Sequence, residues 1–278
     1  MDATVARGAR RRRVALIGDA FVDVQVSGVT DIPAWGTDVA CSSVRLLPGG
    51  SCGNTARQLA SLGLEKNLET FFFSVVGDDE AGRHYVRTLD EERGLTEPRA
   101  TLHVAEGTPQ SCCVVLAGPA DRAMCSCYAT VHRVTIERFE PMLAERAPWA
   151  LLHLGGYFNC VGLHTERTLR LIETLRGQGT VITMGPQHDC TGRWAGEGGH
   201  VHRLLPLLDV FLPNTNEALG VSGAATAEAA LDVLAARYPT LLIVMSRGAD
   251  GLCVRSARPI LRPQEGSPAR GHSAPAWR

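Results

Sequence analysis

The chain has 278 residues, 45% of them hydrophobic and 21% charged, and its formal net charge at pH 7 is −1. This length and apolar content suffice for one sizeable α/β domain or for two small ones. A net charge near zero argues against bulk electrostatic attraction to nucleic acid or an anionic membrane surface, and no apolar run approaches the ~18 residues of a membrane span.

A basic segment opens the chain. Residues 1–13 include Arg7 and the run from Arg10 to Arg13, and we interpret them as a flexible leader. Residues 14–17 then form a short apolar run closed by Gly18, the pattern of a buried strand. Asp23 lies just beyond this strand, where it is a candidate ligand-binding carboxylate; a helix cap or a surface charge is the alternative.

A glycine-rich turn leads into the first predicted helix. Gly49, Gly50 and Gly53 precede apolar residues at helical spacing. Such glycines let the backbone approach a ligand, and the first free N–H groups of the helix point at whatever binds there. Asn54 adds an amide that both donates and accepts, which suits a sugar hydroxyl. An ordinary turn into a helix is the alternative interpretation.

Strand and helix patterns alternate through the rest of the chain. Apolar runs predict strands at 71–76, 151–154, 180–184, 210–212 and 241–245, and helical spacing predicts helices at 84–93, 165–176 and from Thr226 to just before Pro239. This alternation predicts a parallel sheet covered by helices, with ligands at the carboxyl ends of the strands. Segments 24–47 and 101–128 break the alternation, and we predict short strands outside the main sheet there.

Five short motifs occur in a fixed order. They are Gly18 to Asp23, Gly49-Gly50 with Asn54, Val76 to Gly82, Pro213 to Ala218, and Met245 to Gly251. In this order they resemble the ribokinase-like (PfkB-type) carbohydrate kinases over residues 14–254. The resemblance implies an α/β fold whose mostly parallel sheet is flanked by helices on both faces.

The same resemblance implies a small β lid over the sugar. The lid would come from segments 24–47 and 101–128, which in some family members also form a dimer interface, so a homodimer through the lid is one expectation. Two surface hairpins without a role in binding are the alternative.

The resemblance also assigns substrate-binding residues. Asp23 would accept hydrogen bonds from two sugar hydroxyls, Gly49 and Gly50 would let the sugar pack against backbone, and Asn54 would bind another hydroxyl. Phe21 stands where several family members carry a polar contact, so the hydroxyl pattern recognised there is expected to differ. The sequence does not identify the sugar.

Nucleotide-binding residues follow from two later motifs. Asn214 and Glu217 resemble the Asn-x-x-Glu element of the family, which organises Mg²⁺ and the ATP phosphates largely through water, as the preference of Mg²⁺ for oxygen ligands and retained waters allows. The alternative is that both residues only cap the following helix. Ser246, Gly248 and Gly251 resemble the nucleotide loop.

Two other nucleotide-binding classes are disfavoured. Lys66 is the only lysine, and it lacks the glycine spacing and the following Ser or Thr of a P-loop, which excludes a Walker-type ATPase. Gly18 is not followed by Gly-x-Gly-x-x-Gly spacing, which disfavours a nicotinamide dehydrogenase.

The sequence departs from the family at two points. After strand 180–184 the family commonly places an aspartate. Asp189 is the candidate for that position in this sequence, although the spacing from the strand does not fix the alignment. The transfer step of the family uses a Gly-Ala-Gly-Asp element whose amides stabilise phosphate charge and whose aspartate takes the hydroxyl proton. The 278 residues contain no such element, and Asp250 is the last aspartate. No catalytic base is therefore assigned.

These observations lead to two functional hypotheses. The first is ATP-dependent phosphorylation of a sugar or nucleoside hydroxyl, crippled in this chain by a truncated or divergent C-terminal part. The alternative is a non-catalytic sugar-binding or regulatory pseudokinase.

The remaining features predict location and order rather than chemistry. Nine cysteines with no Cys-x-x-Cys pair favour reduced thiols in the cytoplasm. Cys125-x-Cys127 and His200-x-His202 are weak metal signals. Residues 255–278, rich in Pro, Arg, Gly and Ser, are predicted to be disordered.

Overall fold

The structure, a computed structural model, describes residues 11–63, 68–119 and 121–256. Its strands are β1 (Arg12–Gly18), β2 (Phe21–Ser27), β3 (Ser43–Gly49), β4 (Leu68–Gly77), β5 (Leu102–Ala105), β6 (Cys112–Ala117), β7 (Arg122–Cys127), β8 (Leu151–Gly155), β9 (Val181–Gly185), β10 (Val210–Phe211), β11 (Leu242–Ser246) and β12 (Leu252–Arg255). Its helices are α1 (Ser51–Gly63), α2 (Glu80–Glu91), α3 (Pro98–Thr101), α4 (Ile136–Glu145), α5 (Glu166–Gly177), α6 (His200–Leu204), α7 (Thr215–Ser222) and α8 (Ala227–Arg237). Short 3₁₀ turns connect several of them.

The main sheet has eight strands in the order β12-β11-β10-β9-β8-β1-β4-β5. Neighbouring strands run parallel throughout, except for β12, which pairs antiparallel with β11. The prediction of a mostly parallel sheet is therefore confirmed. Because β1 lies between β8 and β4, the loops that follow these three strands meet at one edge of the sheet.

The second sheet forms the lid. Its four strands follow the order β3-β2-β6-β7, in which β2 pairs antiparallel with β3 and parallel with β6. The predicted lid segment 101–128 is corrected at its beginning. Leu102 and Ala105 are buried, and β5 pairs with β4 at the edge of the main sheet. The lid part of that segment is β6 with β7.

The beginning of the chain also differs from the prediction. Arg12 and Arg13 belong to β1 rather than to a leader. The guanidinium of Arg13 binds the Glu69 carboxylate over 3.1 Å and the Arg146 carbonyl oxygen over 2.7 Å. At the other end, Arg255 was predicted to open the disordered tail, but it is the last residue of β12 and pairs with Ile243 of β11. The predictions for residues 1–10 and for the tail beyond residue 256 lie outside the described residues.

Apolar packing differs between the two faces of the main sheet. One face packs against α4, α5, α7 and α8, whose buried side chains belong to one cluster with β8, β9 and β11. The other face packs against α1 and α2 beside β1 and β4. Helices on both faces are thus confirmed at β1, β4 and β8, whereas the described helices cover one face of β9 to β12. On the other face Val181, Leu252 and Val254 are 40%, 61% and 42% exposed.

Three chemical features bear on the earlier expectations. All nine cysteines are free thiols. Within the described ranges no three His, Cys, Asp or Glu side chains group in a way that could hold a metal ion. No single helix of the described chain is long and apolar enough to cross a membrane, although α7 and α8, bent by 54°, pass that test when taken together.

Candidate active site

A cavity of about 1070 Å³ lies between the carboxyl edge of the main sheet and the inner face of the lid. The loops after β1, β8 and β9 form its floor, the first turn of α1 forms one side, and alternate residues of β2, β6 and β7 form its roof. We call it the main cavity.

Three of the four predicted sugar-binding residues line the main cavity together. They are Asp23 on β2, Gly50 in the turn before α1, and Asn54 in the first turn of α1. The fourth, Gly49, pairs with Phe21 across β3 and β2. The structure therefore brings the residues of two separate sequence motifs to one place.

The two glycines make this approach possible. Gly50 has φ +90°, and a Cβ atom there would lie 2.6 Å from the Asp19 carbonyl oxygen, so both backbone shape and space require glycine. The Gly49 backbone is held in place because the buried hydroxyl of Tyr85 donates a hydrogen bond to its carbonyl oxygen over 3.1 Å. The turn is thus held at a fixed distance from β1 and β2.

Sequence reasoning missed Asp19, which joins three elements beneath the main cavity. Its side chain is fully buried and accepts hydrogen bonds from the Cys52 amide over 2.7 Å and from Asn159 Nδ2 over 2.9 Å. Burial raises the pKa of Asp19 above its ordinary value, against the effect of these hydrogen bonds. The signal in the sequence was a charged residue directly after a buried strand.

Asp23 lies above Asp19 in an electrostatically unfavourable place for a carboxylate. Partial burial, and secondly the nearby charge of Asp19, raise the pKa of Asp23 to about 6. The group is therefore ionised at pH 7 but close to its titration range. An ionised carboxylate with few protein donors can accept hydrogen bonds from a polyhydroxyl ligand.

Aromatic and polar residues complete the main cavity. Phe21, expected to differ from the polar contact of the family, packs edge-on against Tyr128 with ring centroids 5.7 Å apart. Asn159, Gln187 and His188 line the floor and were missed because they come from loops distant in sequence.

Asp189 does not line the main cavity. Its carboxylate accepts hydrogen bonds from the amide and hydroxyl of Thr191 and from the Trp194 amide, at 2.8, 2.7 and 2.6 Å. Burial opposes ionisation of Asp189, but these hydrogen bonds outweigh it and lower its pKa. The carboxylate therefore stabilises its own turn, and the residues that this loop presents to the cavity are Gln187, His188 and Cys190.

Asn214 and Glu217 form a capping box at the start of α7. Asn214 Oδ1 accepts from the Glu217 amide over 2.9 Å, and Glu217 Oε2 accepts from the Asn214 amide over 2.9 Å. Glu217 Oε1 also accepts from Asn214 Nδ2 over 2.7 Å. Burial raises the pKa of Glu217, against the effect of the Asn214 amide. These contacts are those expected from the alternative interpretation, in which Asn214 and Glu217 cap the following helix.

The predicted nucleotide-binding residues nevertheless meet at the ends of adjacent strands. Asn214 pairs with Ser246 in an isolated parallel bridge, which joins the ends of β10 and β11. Ser246 is exposed, and Cβ atoms at Gly248 and Gly251, with φ +59° and +82°, would meet nothing within 4 Å. The group lies on the same edge of the sheet as the main cavity, further toward β12.

Solved structures with this fold include a ribokinase and an adenosine kinase. The ribokinase of Arabidopsis thaliana, complexed with ribose and ATP, has a TM-score of 0.65 and 15% identity, covering 88% of this chain and 75% of that one. The adenosine kinase of Anopheles gambiae, in complex with P1,P4-di(adenosine-5) tetraphosphate, has a TM-score of 0.70 and 17% identity, covering 90% and 81%. At such identities the likeness concerns the fold alone.

Sequence comparison is more specific. The bifunctional protein HldE of Hyphomonas neptunium is 30% identical over 253 residues, which are 87% of this chain and 48% of that protein. The chain thus spans about half the length of the curated relative it matches. The profile of the pfkB family carbohydrate kinases matches residues 11–265. Over nearly its whole length, this chain belongs to the pfkB family of carbohydrate kinases.

Proposed function

We propose that this chain binds a sugar or nucleoside in the main cavity and belongs to a lineage that phosphorylates one of its hydroxyls with ATP. The carrying observation is that Asp23, Gly50 and Asn54 line one cavity at the carboxyl edge of the sheet. A carboxylate, a side-chain amide and an open backbone turn are the groups that recognise vicinal hydroxyls. The ribose and ATP in the plant ribokinase, which shares this fold, support the same class of ligand.

The nucleotide loop provides the proposed ATP site. Ser246 would place its hydroxyl near the phosphates, and the backbone at Gly248 and Gly251 would approach them without side chains in the way. ATP supplies the phosphoryl group when it is bound. The role of the chain is to hold the acceptor hydroxyl and the phosphates at one edge of the sheet.

Mg²⁺ fits this site only through water. Glu217 is 5% exposed, and each of its carboxylate oxygens already accepts a hydrogen bond from Asn214. Direct coordination would require the metal to reach a nearly buried carboxylate that already accepts two hydrogen bonds, whereas Mg²⁺ commonly retains several waters and takes its other ligands from phosphates. We therefore propose that Glu217 orients a magnesium-bound water.

Phosphoryl transfer in this family requires a catalytic element that the 278 residues do not contain. The 278 residues contain no Gly-Ala-Gly-Asp element, and losing both a base and an anion hole lowers a rate by several orders of magnitude. We therefore propose that the 278-residue chain binds its sugar with little or no phosphoryl transfer. A cytoplasmic, non-catalytic sugar-binding or regulatory protein is the second candidate, favoured by the same absence.

Calorimetry with free pentoses, hexoses and nucleosides, together with an assay for ADP release, tests this proposal. We expect binding of at least one of these compounds, weaker but still measurable binding in Asp23→Asn, and no change in the control Asp90→Asn, which lies in a surface ion pair with Arg99. Turnover by the 278-residue chain would refute the crippled-kinase part. Failure of every compound to bind the folded chain would refute the proposed function, including sugar binding.

We also propose that the chain forms a dimer through the lid. On its outer face Val44 and Leu46 are 58% and 52% exposed, in register with Val26 and Val24 of β2. A second copy that buries this apolar face would make the lid a dimer interface. Sedimentation velocity should show a dimer that Leu46→Glu dissociates and the control Val233→Glu does not; a monomer at all concentrations contradicts the proposal.

A further inference from the structure

A second cavity of about 390 Å³ adjoins the main cavity. We call it the side chamber. It shares Tyr128, Asn159 and Cys190 with the main cavity and is otherwise lined by His132, Phe158, Val161, His164 and a few residues of the loop after β9. A ligand that fills both spaces would therefore extend past these three shared residues.

Four of the eleven residues that line the side chamber carry aromatic rings, and neighbouring rings contact them. His132 stacks on Tyr128 with centroids 5.5 Å apart and an interplanar angle of 7°. Phe158 meets Trp194 edge-on, with centroids 5.7 Å apart. Fixed rings around a space of this size favour a flat aromatic guest, which gains stacking and edge contacts at small entropic cost.

The charges of the side chamber do not select an anion. Asp189 and Arg193 contribute one charge of each sign. The Asp189 carboxylate is occupied by Thr191 and Trp194, while Arg193 Nε contacts the Thr191 hydroxyl over 3.3 Å. A phosphate in this chamber would meet one arginine and a nearby carboxylate, so it gains little net attraction.

One contact at the boundary between the two cavities joins the segment after β7 to the loop after β9. Tyr128 Oη lies 2.8 Å from Cys190 Sγ, and both residues line both spaces. Tyr128 directly follows β7, and Cys190 belongs to the loop after β9. A substituent that passes this contact lies among the residues of the side chamber.

We infer that the side chamber accepts an aromatic ring attached to the sugar, so the ligand is a nucleoside rather than a free sugar. This inference rests on the proposed function, because it needs the sugar part in the main cavity. The ribose hydroxyls would face Asp23 and Asn54, and the base would lie among His132, Phe158 and His164. The side chamber thereby determines specificity without contacting the hydroxyl that is phosphorylated.

Calorimetry with ribose, adenosine, uridine and ribose 5-phosphate tests the inference, with a non-hydrolysable ATP analogue present to occupy the nucleotide loop. We expect at least one nucleoside to have a dissociation constant at least tenfold below that of ribose. Ribose 5-phosphate should bind no more tightly than ribose. Equal affinities for ribose and both nucleosides, or a preference for the phosphorylated sugar, overturn the inference.

A variant that fills the side chamber separates it from the main cavity. Val161→Trp should remove the nucleoside preference and leave the dissociation constant of ribose within twofold. Val233→Trp, at an exposed position of α8, is the matched control and should keep the preference. If Val161→Trp retains the full preference, the base lies elsewhere and the inference fails. If ribose and nucleosides all fail to bind the folded chain, the proposed function itself fails.

Discussion

A Cβ atom on Gly49 would lie 2.3 Å from the Asp23 carboxylate, so the position of this carboxylate depends on the absence of a side chain at Gly49. We expect Gly49→Ala to displace Asp23 and to weaken sugar binding at least tenfold, as measured by calorimetry. Gly177→Ala is the control, because a Cβ atom there meets nothing within 4 Å. Unchanged affinity in Gly49→Ala would mean that the carboxylate does not contact the sugar.

The raised pKa of Asp23 predicts a pH dependence of binding. If the ionised form accepts the sugar hydroxyls, affinity is full above pH 7 and falls as the pH drops through about 6. Titrations between pH 5 and pH 8 measure this. In Asp23→Asn the residual binding should show no step in that range; a step of the same size in this variant contradicts the assignment to Asp23.

The same group predicts a pH-dependent stability without ligand. The pKa of Asp23 is raised in the folded chain from 3.8 to about 6, so its favourable contribution is present below pH 4 and is lost as the pH rises through 6. We expect Asp23→Asn to unfold at higher urea concentration than the parent at pH 7. The gain is on the order of 1 kcal/mol, because Asp23 is partly exposed and solvent screens the effect. It should vanish at pH 4.

The contact between Asp19 and Asn159 predicts a second stability effect. Asn159→Ala removes a donor from a buried carboxylate, which typically costs about 1–3 kcal/mol. Asn159→Asp should destabilise more at pH 7, because it places a second carboxyl group beside Asp19. Urea unfolding measures both. The additional loss in Asn159→Asp should shrink as the pH is lowered and the raised pKa of Asp19 is approached. An additional loss that does not change with pH would exclude charge repulsion as its cause.

The capping box at α7 permits a test between its two roles. Asn214→Ala should lower the free energy of unfolding by about 1 kcal/mol through loss of the cap. Thr226→Ala removes a cap of the same kind from α8 and serves as the control, since the Thr226 hydroxyl accepts from the Ala229 amide over 3.2 Å. We expect weaker binding of an ATP analogue in Asn214→Ala only. Equal affinities in the two variants would leave capping as the sole role.

Much of the fold could be predicted because its signals are local. Apolar runs located the strands around Leu16, Phe72 and Leu152, and Thr226 and Pro239 marked the limits of α8. β5 was misplaced because a four-residue strand carries too short a pattern to show which sheet it joins. Which strands pair within the lid depends on distant partners, as in the parallel pairing of β2 with β6.

The candidate site was predictable where a motif combined unusual residue types. Asp23, Gly50 and Asn54 belong to such motifs, and all three line the main cavity. Asn159 comes from a loop more than one hundred residues away from them, and its role depends on a contact with Asp19 that no local pattern reveals. The occupied carboxylate of Asp189 was equally hidden, because the Thr191 and Trp194 amides that bind it are set by the turn.

Within the residues that the structure describes, helices cover β9 to β12 on one face only, and this affects the order in which the sheet opens. Strands packed on both faces unfold only with the whole domain, whereas strands packed on one face open locally at lower free energy. Amide hydrogen exchange should therefore be slowest in β1, β4 and β8 and faster in β11 and β12. Ser246, Gly248 and Gly251 lie in or between β11 and β12, where amide exchange is expected to be faster. Nucleotide binding there would therefore slow exchange in the strands that open most readily.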